Sequence, residues 1–282
     1  MSKRATTPTT PSEVFCRTTL NFAARSGALA AQPVEVDVRD GRLARLPDWT
    51  ECGFELVAHA SAVSGWDDDE LIAVHHHEME QLARAMTGCD VALVSNHIKR
   101  GPEHVARHED LGPISFVHSD FAAGYDDLVR KSFVHPERDG ARRAMERNEV
   151  AGELVADASR TVILQFWRNI GPPKMDFPLA FCDARTVTPS DCRPIPVSDY
   201  AGSGVDFEAL AVLGPCEPEQ YRWYAFPELV IDEVIAFRTY DSDLVERDET
   251  WFTPHSAFRD PEVPVGRPAR SSIELRAICL YA

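Results

Sequence analysis

Val117-His118-Ser119-Asp120, together with Pro254-His255-Ser256-Ala257-Phe258 and Arg270-Ser271-Ser272 far downstream, is the part of the chain on which every other reading turns. In an extended strand, residues i and i+2 point to the same face. His118 and Asp120 therefore project an imidazole and a carboxylate side by side. These are two members of a 2-His-1-carboxylate facial triad, a set that leaves positions open on Fe(II) for a cosubstrate and O2. Alone, the pattern is short, and its plain reading is a strand-end histidine beside a turn aspartate. A third ligand has to come from a distant strand, and His255 meets that requirement. Arg270 follows it, and a planar guanidinium is the group best suited to grip a carboxylate with two parallel hydrogen bonds. Ser272 shares its face and can donate a third. Glu274 and Arg276 continue that face, which makes Arg276 a second candidate for the cosubstrate carboxylates. The plain alternative is that Arg270 lies on the surface and Ser272 merely starts a strand.

Around these blocks the sequence reads as a β-core with helices packed outside. Residues 13–24 and 34–38 alternate as strands do, and Asp40-Gly41 is a hairpin signal with Leu43 starting the return. Residues 67–87 form a helix: Asp67 or Asp68 caps it, Leu71, His75, Met79, Leu82 and Met86 recur at helical spacing, and Gly88 stops it. Further strands fall at 91–94, 114–118, 161–167, 221–226, 233–240 and 272–281. A charged, surface-lying helix falls at 139–158. Prolines place loops at 171–173 and 191–196. No repeat or linker interrupts the chain, so residues 13–282 read as a single domain and residues 1–12 as a flexible tail.

Composition narrows the function classes. The 282 residues are 44% hydrophobic and 26% charged, which excludes a wholly disordered, collagen-like or coiled-coil chain. A net charge of −16, with no basic run longer than a pair such as Arg142-Arg143, argues against nucleic acid or an anionic membrane as partner. No apolar stretch reaches membrane-spanning length, and the basic first residues lack the apolar run of a signal peptide. The seven cysteines sit singly, an odd number without C-x-x-C spacing, which reads as reduced thiols in the cytoplasm.

Other eye-catching groups have simpler readings. His75-His76-His77 cannot converge on one ion, because consecutive helical residues lie about 100° apart. His75 is expected half-buried on the apolar face, and the other two in solvent. Asp67-Asp68-Asp69-Glu70 lacks the spacing of a calcium loop and reads as a helix cap. Asp183 and Asp241 read as turn formers.

The chain resembles the CmcJ/AsaB-type oxygenase family, which includes the hydroxylase component of cephamycin 7-methoxylation and fungal gibberellin-desaturase-like proteins. The resemblance runs from about residue 15 to the end. It rests on Phe54-Glu-Leu-Val57 with Ser61, Glu78-Met-Glu80, Thr87-Gly88, Asn96-His97-Ile-Lys-Arg100 and His118-Ser-Asp120. Phe166-Trp-Arg168, Asp176-Phe-Pro-Leu-Ala180 with Asp183, Trp223-Tyr224, Asp232-Glu-Val234 and Tyr240-Asp-Ser242 follow, and His255-Ser-Ala-Phe258 and Arg270-Ser-Ser-Ile-Glu-Leu-Arg276 complete it. Ser95-Asn96 departs from the family's common aromatic-Asp pair. The resemblance implies a double-stranded β-helix (jelly-roll) core, Fe(II), 2-oxoglutarate and O2. By matching, it places the metal ligands at His118, Asp120 and His255. It implies oxidation of an unactivated C–H in a small natural-product or amino-acid-derived substrate, by hydroxylation, desaturation or oxidative cyclisation. Asn96, Arg100, Trp167 and Arg168 become candidate substrate contacts, with core filling and ion pairing as their plain readings. The reading is compatible with an oligomer. A divalent-metal hydrolase or isomerase using the same triad, and a non-catalytic jelly-roll binding protein, are the competing functions.

Overall fold

The computed structural model describes residues 14–27, 30–217 and 219–282; the tail expected at 1–12 lies outside them. Two sheets face one another as a jelly-roll. The larger takes its strands in the order β1 (Val14–Ala23), β2 (Ala31–Asp40), β10 (Trp223–Ala225), β7 (Leu179–Cys182), β12 (His255–Ala257), β5 (His118–Ser119), β9 (Phe207–Val212) and β8 (Cys192–Val197). The smaller runs β3 (Phe54–Ala58), β11 (Glu233–Asp241), β6 (Arg160–Asn169), β13 (Ser272–Tyr281) and β4 (Val91–Arg100). Pairing is antiparallel throughout both sheets except between β2 and β10.

The strand β6 shows how sequence places side chains. Its run of β-branched and aromatic residues, Thr161 to Trp167, is buried on both faces. Ile163 turns inward with Ile278 and Leu280 of β13, to meet Leu20, Val38 and Val212 of the other sheet. Leu164 and Phe166 turn outward with Leu275, Ala277 and Cys279, onto Met79 and Ala83 of the helix His76–Thr87. Gln165 and Trp167 thus share the inner face of β6, where they stand opposite Arg276 and Glu274.

Helix 67–87 forms as its pattern predicts, with Asp67 accepting the Glu70 N–H and Gly88 in the left-handed conformation at the end. Its first turns include a π-helical stretch, Leu71–His75. The single helix expected over 139–158 is two, Asp139–Arg147 and Gly152–Asp157, and Ala141, Ala144, Met145 and Val155 bury one side of them. An unexpected helix, Tyr125–Val134, buries Val129 and Phe133.

Asp40-Gly41 does not turn a hairpin. The antiparallel partner of β2 is the preceding strand β1, and the chain after Gly41 runs on as a turn to the short helix Trp49–Cys52. The proline-rich segment taken for a loop at 191–196 is strand β8. It lies at the sheet's edge, where Pro194 and Pro196 point outward and no ladder N–H is missed. The opposite problem arises on β4, whose outer edge faces helices. There Glu80 accepts the Val94 N–H (2.9 Å), and Arg147 donates to the Val94 carbonyl (2.8 Å) and to Glu80 (2.6 Å).

Candidate metal centre

His118 and His255 are direct cross-strand partners on β5 and β12, and their ring centroids lie 4.4 Å apart. Asp120 follows β5 at once. One ligand atom from each of the three lies within 4.8 Å of the others, the one group among the described residues arranged so that it could hold a metal ion. Each imidazole is oriented by its own strand. His118 Nδ1 donates to the Phe116 carbonyl (2.7 Å) and His255 Nδ1 to the Thr253 carbonyl (3.1 Å). That fixes the tautomer and leaves both Nε2 lone pairs directed at Asp120 Oδ1, at 3.7 and 3.9 Å. Two imidazoles and a carboxylate oxygen converging at these separations fit a six-coordinate cation such as Fe(II) with half its positions left open.

The electrostatics agree with the geometry. Burial alone would raise the Asp120 carboxyl, but the Arg276 guanidinium and the two imidazoles outweigh it and hold the carboxyl well below the usual range. Burial and the neighbouring His118 push His255 down to about 4, so its Nε2 is unprotonated at neutral pH.

The triad opens into a narrow cleft lined by Arg100, Ile114, Gln165, Leu179, Ala257, Arg270 and Glu274. Arg270 is 4% exposed. Its Nε donates to Ser272 Oγ (3.0 Å), its guanidinium lies 5.2 Å from the centre of the Trp167 ring, and a long 3.5 Å contact reaches the Phe177 carbonyl. Among the described residues no carboxylate is within ion-pair distance of it. Burial, reinforced by the positive Arg100, drives its pKa down to about 9. Glu274 and Asp176 offset this only in part; a buried cation without a direct ion pair is costly, and an anion entering the cleft would relieve it.

Arg276 is placed differently. Both Nε (3.1 Å) and a terminal nitrogen (2.8 Å) donate to Asp120 Oδ2. Glu274 is paired with Arg100, which donates to it at 2.9 and 3.1 Å and to the Tyr200 hydroxyl at 2.6 Å. Of the candidate substrate contacts, Arg100 lines the cleft and Trp167 floors Arg270. Arg168 does not reach it: strand alternation turns it to the sheet's outer face, where it donates to the His59 and Ile231 carbonyls. Asn96 is exposed on β4 and is absent from the cleft lining.

Two polar residues escaped the sequence reading, Gln165 in the cleft lining and Tyr200 behind Arg100. Gln165 could have been found as the inward neighbour of Trp167 two positions earlier. Tyr200, on a short 3-10 turn, carries no sequence signal that ties it to Arg100. The histidine run also differs from expectation. His76 is as buried as His75, both 2% exposed, because β4 supplies it with a partner, His97 Nδ1, at 3.0 Å; His77 alone is in solvent.

The family described as oxidoreductase/YMDC permease-like domain matches residues 6–280. Among the described residues no helix is long and apolar enough to cross a membrane. The hydroxylase/desaturase efuI of Hormonema carpetanum is 28% identical over 238 residues, 81% of this chain and 77% of that one. The Fe(II)/2-oxoglutarate-dependent dioxygenase nvfI of Aspergillus novofumigatus is 33% identical over 120 residues, 43% of this chain and 41% of its own. The hydroxylase/desaturase asaB of Aspergillus flavus is 32% identical over 133 residues, covering 44% and 56%. A solved structure of the iron and alpha-ketoglutarate-dependent endoperoxidase NvfI superposes with a TM-score of 0.72 at 23% identity, covering 97% of this chain and 99% of that one, which shows a shared fold. The chain belongs to the matched oxidoreductase family, and within it to the AsaB-type Fe(II)/2-oxoglutarate-dependent oxygenases.

Proposed function

We propose that His118, Asp120 and His255 hold Fe(II), that Arg270 with Ser272 holds the distal carboxylate of 2-oxoglutarate, and that the enzyme oxidises an unactivated C–H of a small natural-product or amino-acid-derived molecule. The observation that carries this is the pairing of two incomplete sites in one cleft: a ligand triad and, beside it, a buried guanidinium without a salt-bridge partner among the described residues. Bound iron with its cosubstrate supplies the oxidising power. The chain's own work is orientation and exclusion. The Phe116 and Thr253 carbonyls aim the imidazoles, Trp167 supports Arg270, and Ile114, Leu179 and Ala257 give the cleft an apolar wall. Arg270 is the better anchor of the two arginine candidates, because the charge of Arg276 is already met by Asp120.

The reading extends to one catalytic domain over residues 13–282, acting in the cytoplasm with no nucleic-acid partner. The acidic net charge and the free state of all seven cysteines support it. Anaerobic addition of Fe(II) and 2-oxoglutarate tests the proposal: a weak visible charge-transfer band is expected. Turnover of a substrate with a divalent metal, indifferent to 2-oxoglutarate, would replace it with a hydrolase or isomerase. A panel of candidate metabolites, read by mass change, separates hydroxylation from desaturation or cyclisation.

A further inference from the structure

The two donors of Arg276 do not straddle the Asp120 carboxylate in the usual fork, one to each oxygen. Both end on Oδ2, at 3.1 and 2.8 Å. Oδ1 is left to face the Nε2 atoms of His118 and His255. The carboxylate is thus divided, one oxygen to the arginine and one toward the histidines.

Arg276 is itself held from several sides. It lies 3.8 Å from Glu274 Oε1, and its guanidinium stands 5.5 Å from the centre of the Phe121 ring. Glu274 is fixed in turn by Arg100, and Arg100 by Tyr200 and by the Asp110 (2.5 Å) and Gly112 (2.9 Å) carbonyls. Carboxylate, guanidinium, carboxylate and guanidinium alternate from Asp120 to Arg100, so the row is neutral and satisfied. Arg270, six residues before Arg276 on the same chain segment, stands outside it.

The geometry points to Arg276 as a positioning residue that selects which oxygen of Asp120 meets the metal and keeps the other off it. The inference rests on the triad being the metal site. Its chemical content is a coordination count. A carboxylate free to turn can bind an ion through both oxygens, and the second would occupy a position that the cosubstrate needs. Holding Oδ2 with two donors confines Asp120 to one position. Partners that orient a ligand in this way are typically worth 10–100-fold in metal affinity.

Co(II) is the probe, titrated by calorimetry and visible absorption without 2-oxoglutarate, followed by 2-oxoglutarate titration of the Co(II)-loaded protein. Arg276→Met is expected to weaken Co(II) by about 10–100-fold, with Arg276→Lys, which keeps the charge but not the two-donor geometry, falling between it and the wild type. Arg270→Met is expected to leave Co(II) affinity unchanged and to weaken 2-oxoglutarate alone. If Arg276→Met binds Co(II) within about twofold of wild type and loses only 2-oxoglutarate, Arg276 is a cosubstrate anchor and the positioning role falls. It falls equally if neither affinity changes. Should the Met variant lack a native circular dichroism spectrum, Arg276→Lys decides: wild-type Co(II) affinity there overturns the inference. Wild-type Co(II) binding that survives in His255→Ala would instead remove the metal site itself, whatever the arginine variants show.

Discussion

The two faces of the five-stranded sheet bury similar charged groups and leave them in different states. On the outer face, under helix His76–Thr87, Glu78 accepts from the Ser61 hydroxyl (2.5 Å), the Ala62 N–H (2.6 Å) and His75 Nδ1 (2.9 Å). Both terminal nitrogens of Arg168 are bound, one of them to His59 Nδ1 at 2.8 Å. On the inner face the row from Asp120 to Arg100 is equally well paired, but Arg270 is not. Burial and charge are therefore poor guides to function in this molecule. Arg168 lacks a salt bridge too, but its terminal nitrogens end on two carbonyls and an imidazole, whereas Arg270 has one short side-chain hydrogen bond, to Ser272, and lines the cleft beside the triad.

The largest expected contrast concerns the ligands on the eight-stranded sheet. Asp120→Ala or His255→Ala should abolish Fe(II)-dependent turnover with a native circular dichroism spectrum; thermal unfolding stays close to wild type in His255→Ala and falls in Asp120→Ala, which leaves Arg276 without its partner. Full turnover in either variant would remove that residue from the triad.

Next comes a pair of arginines from opposite faces. Arg270→Ala deletes a partner of a buried carboxylate, a loss of roughly 2–5 kcal/mol. That corresponds to a rise in the apparent KM for 2-oxoglutarate of about 30- to 5,000-fold. Arg168→Ala should leave that KM alone and lower stability by about 3 kcal/mol in urea unfolding, through lost charge-assisted hydrogen bonds. A reversal of the two results would break the comparison of faces.

The smallest effect is electrostatic and belongs to the outer face. Burial pushes His75 down to about 4 and His76 to about 3. Unfolding returns each to about 6.5, so between these values the unfolded chain binds more protons than the folded one. Stability from these groups is therefore complete above about pH 6.5 and is lost as pH falls toward 4 and 3, by about 1.4 kcal/mol per pH unit for each histidine. Denaturant midpoints measured from pH 7 to pH 5 should drop less steeply in His76→Gln than in wild type; parallel curves would show that His76 titrates alike in both states.

Local spacing made part of this legible in the sequence. His118 and Asp120 share a face because they are two residues apart, and so do Arg270 and Ser272; helix 67–87 declares itself by its period and by Gly88. What depends on distant partners was not legible. Strand β5, expected over 114–118, covers only His118–Ser119, and β12, three residues long, has no pattern of its own; each exists because it pairs across the sheet with the other. The role of Arg276 is set by Asp120, 156 residues away, and the burial of His76 by a histidine on β4. Pro194 and Pro196 misled in the other direction, because a proline forbids a central strand but not an outermost one, and sequence does not say which strand is outermost.

At the opposite end of the smaller sheet, Glu80 and Arg147 offer Val94 one acceptor and one donor, as a neighbouring strand would. The consequence reaches beyond this molecule's own stability. An unprotected β4, rich in Val, Ala and Leu over its first residues, would be a template on which a second molecule could extend the sheet and begin to aggregate. Two side chains from the helices packed along β4 fill that place, so edge-to-edge association is resisted by one ion pair together with the helices that carry it.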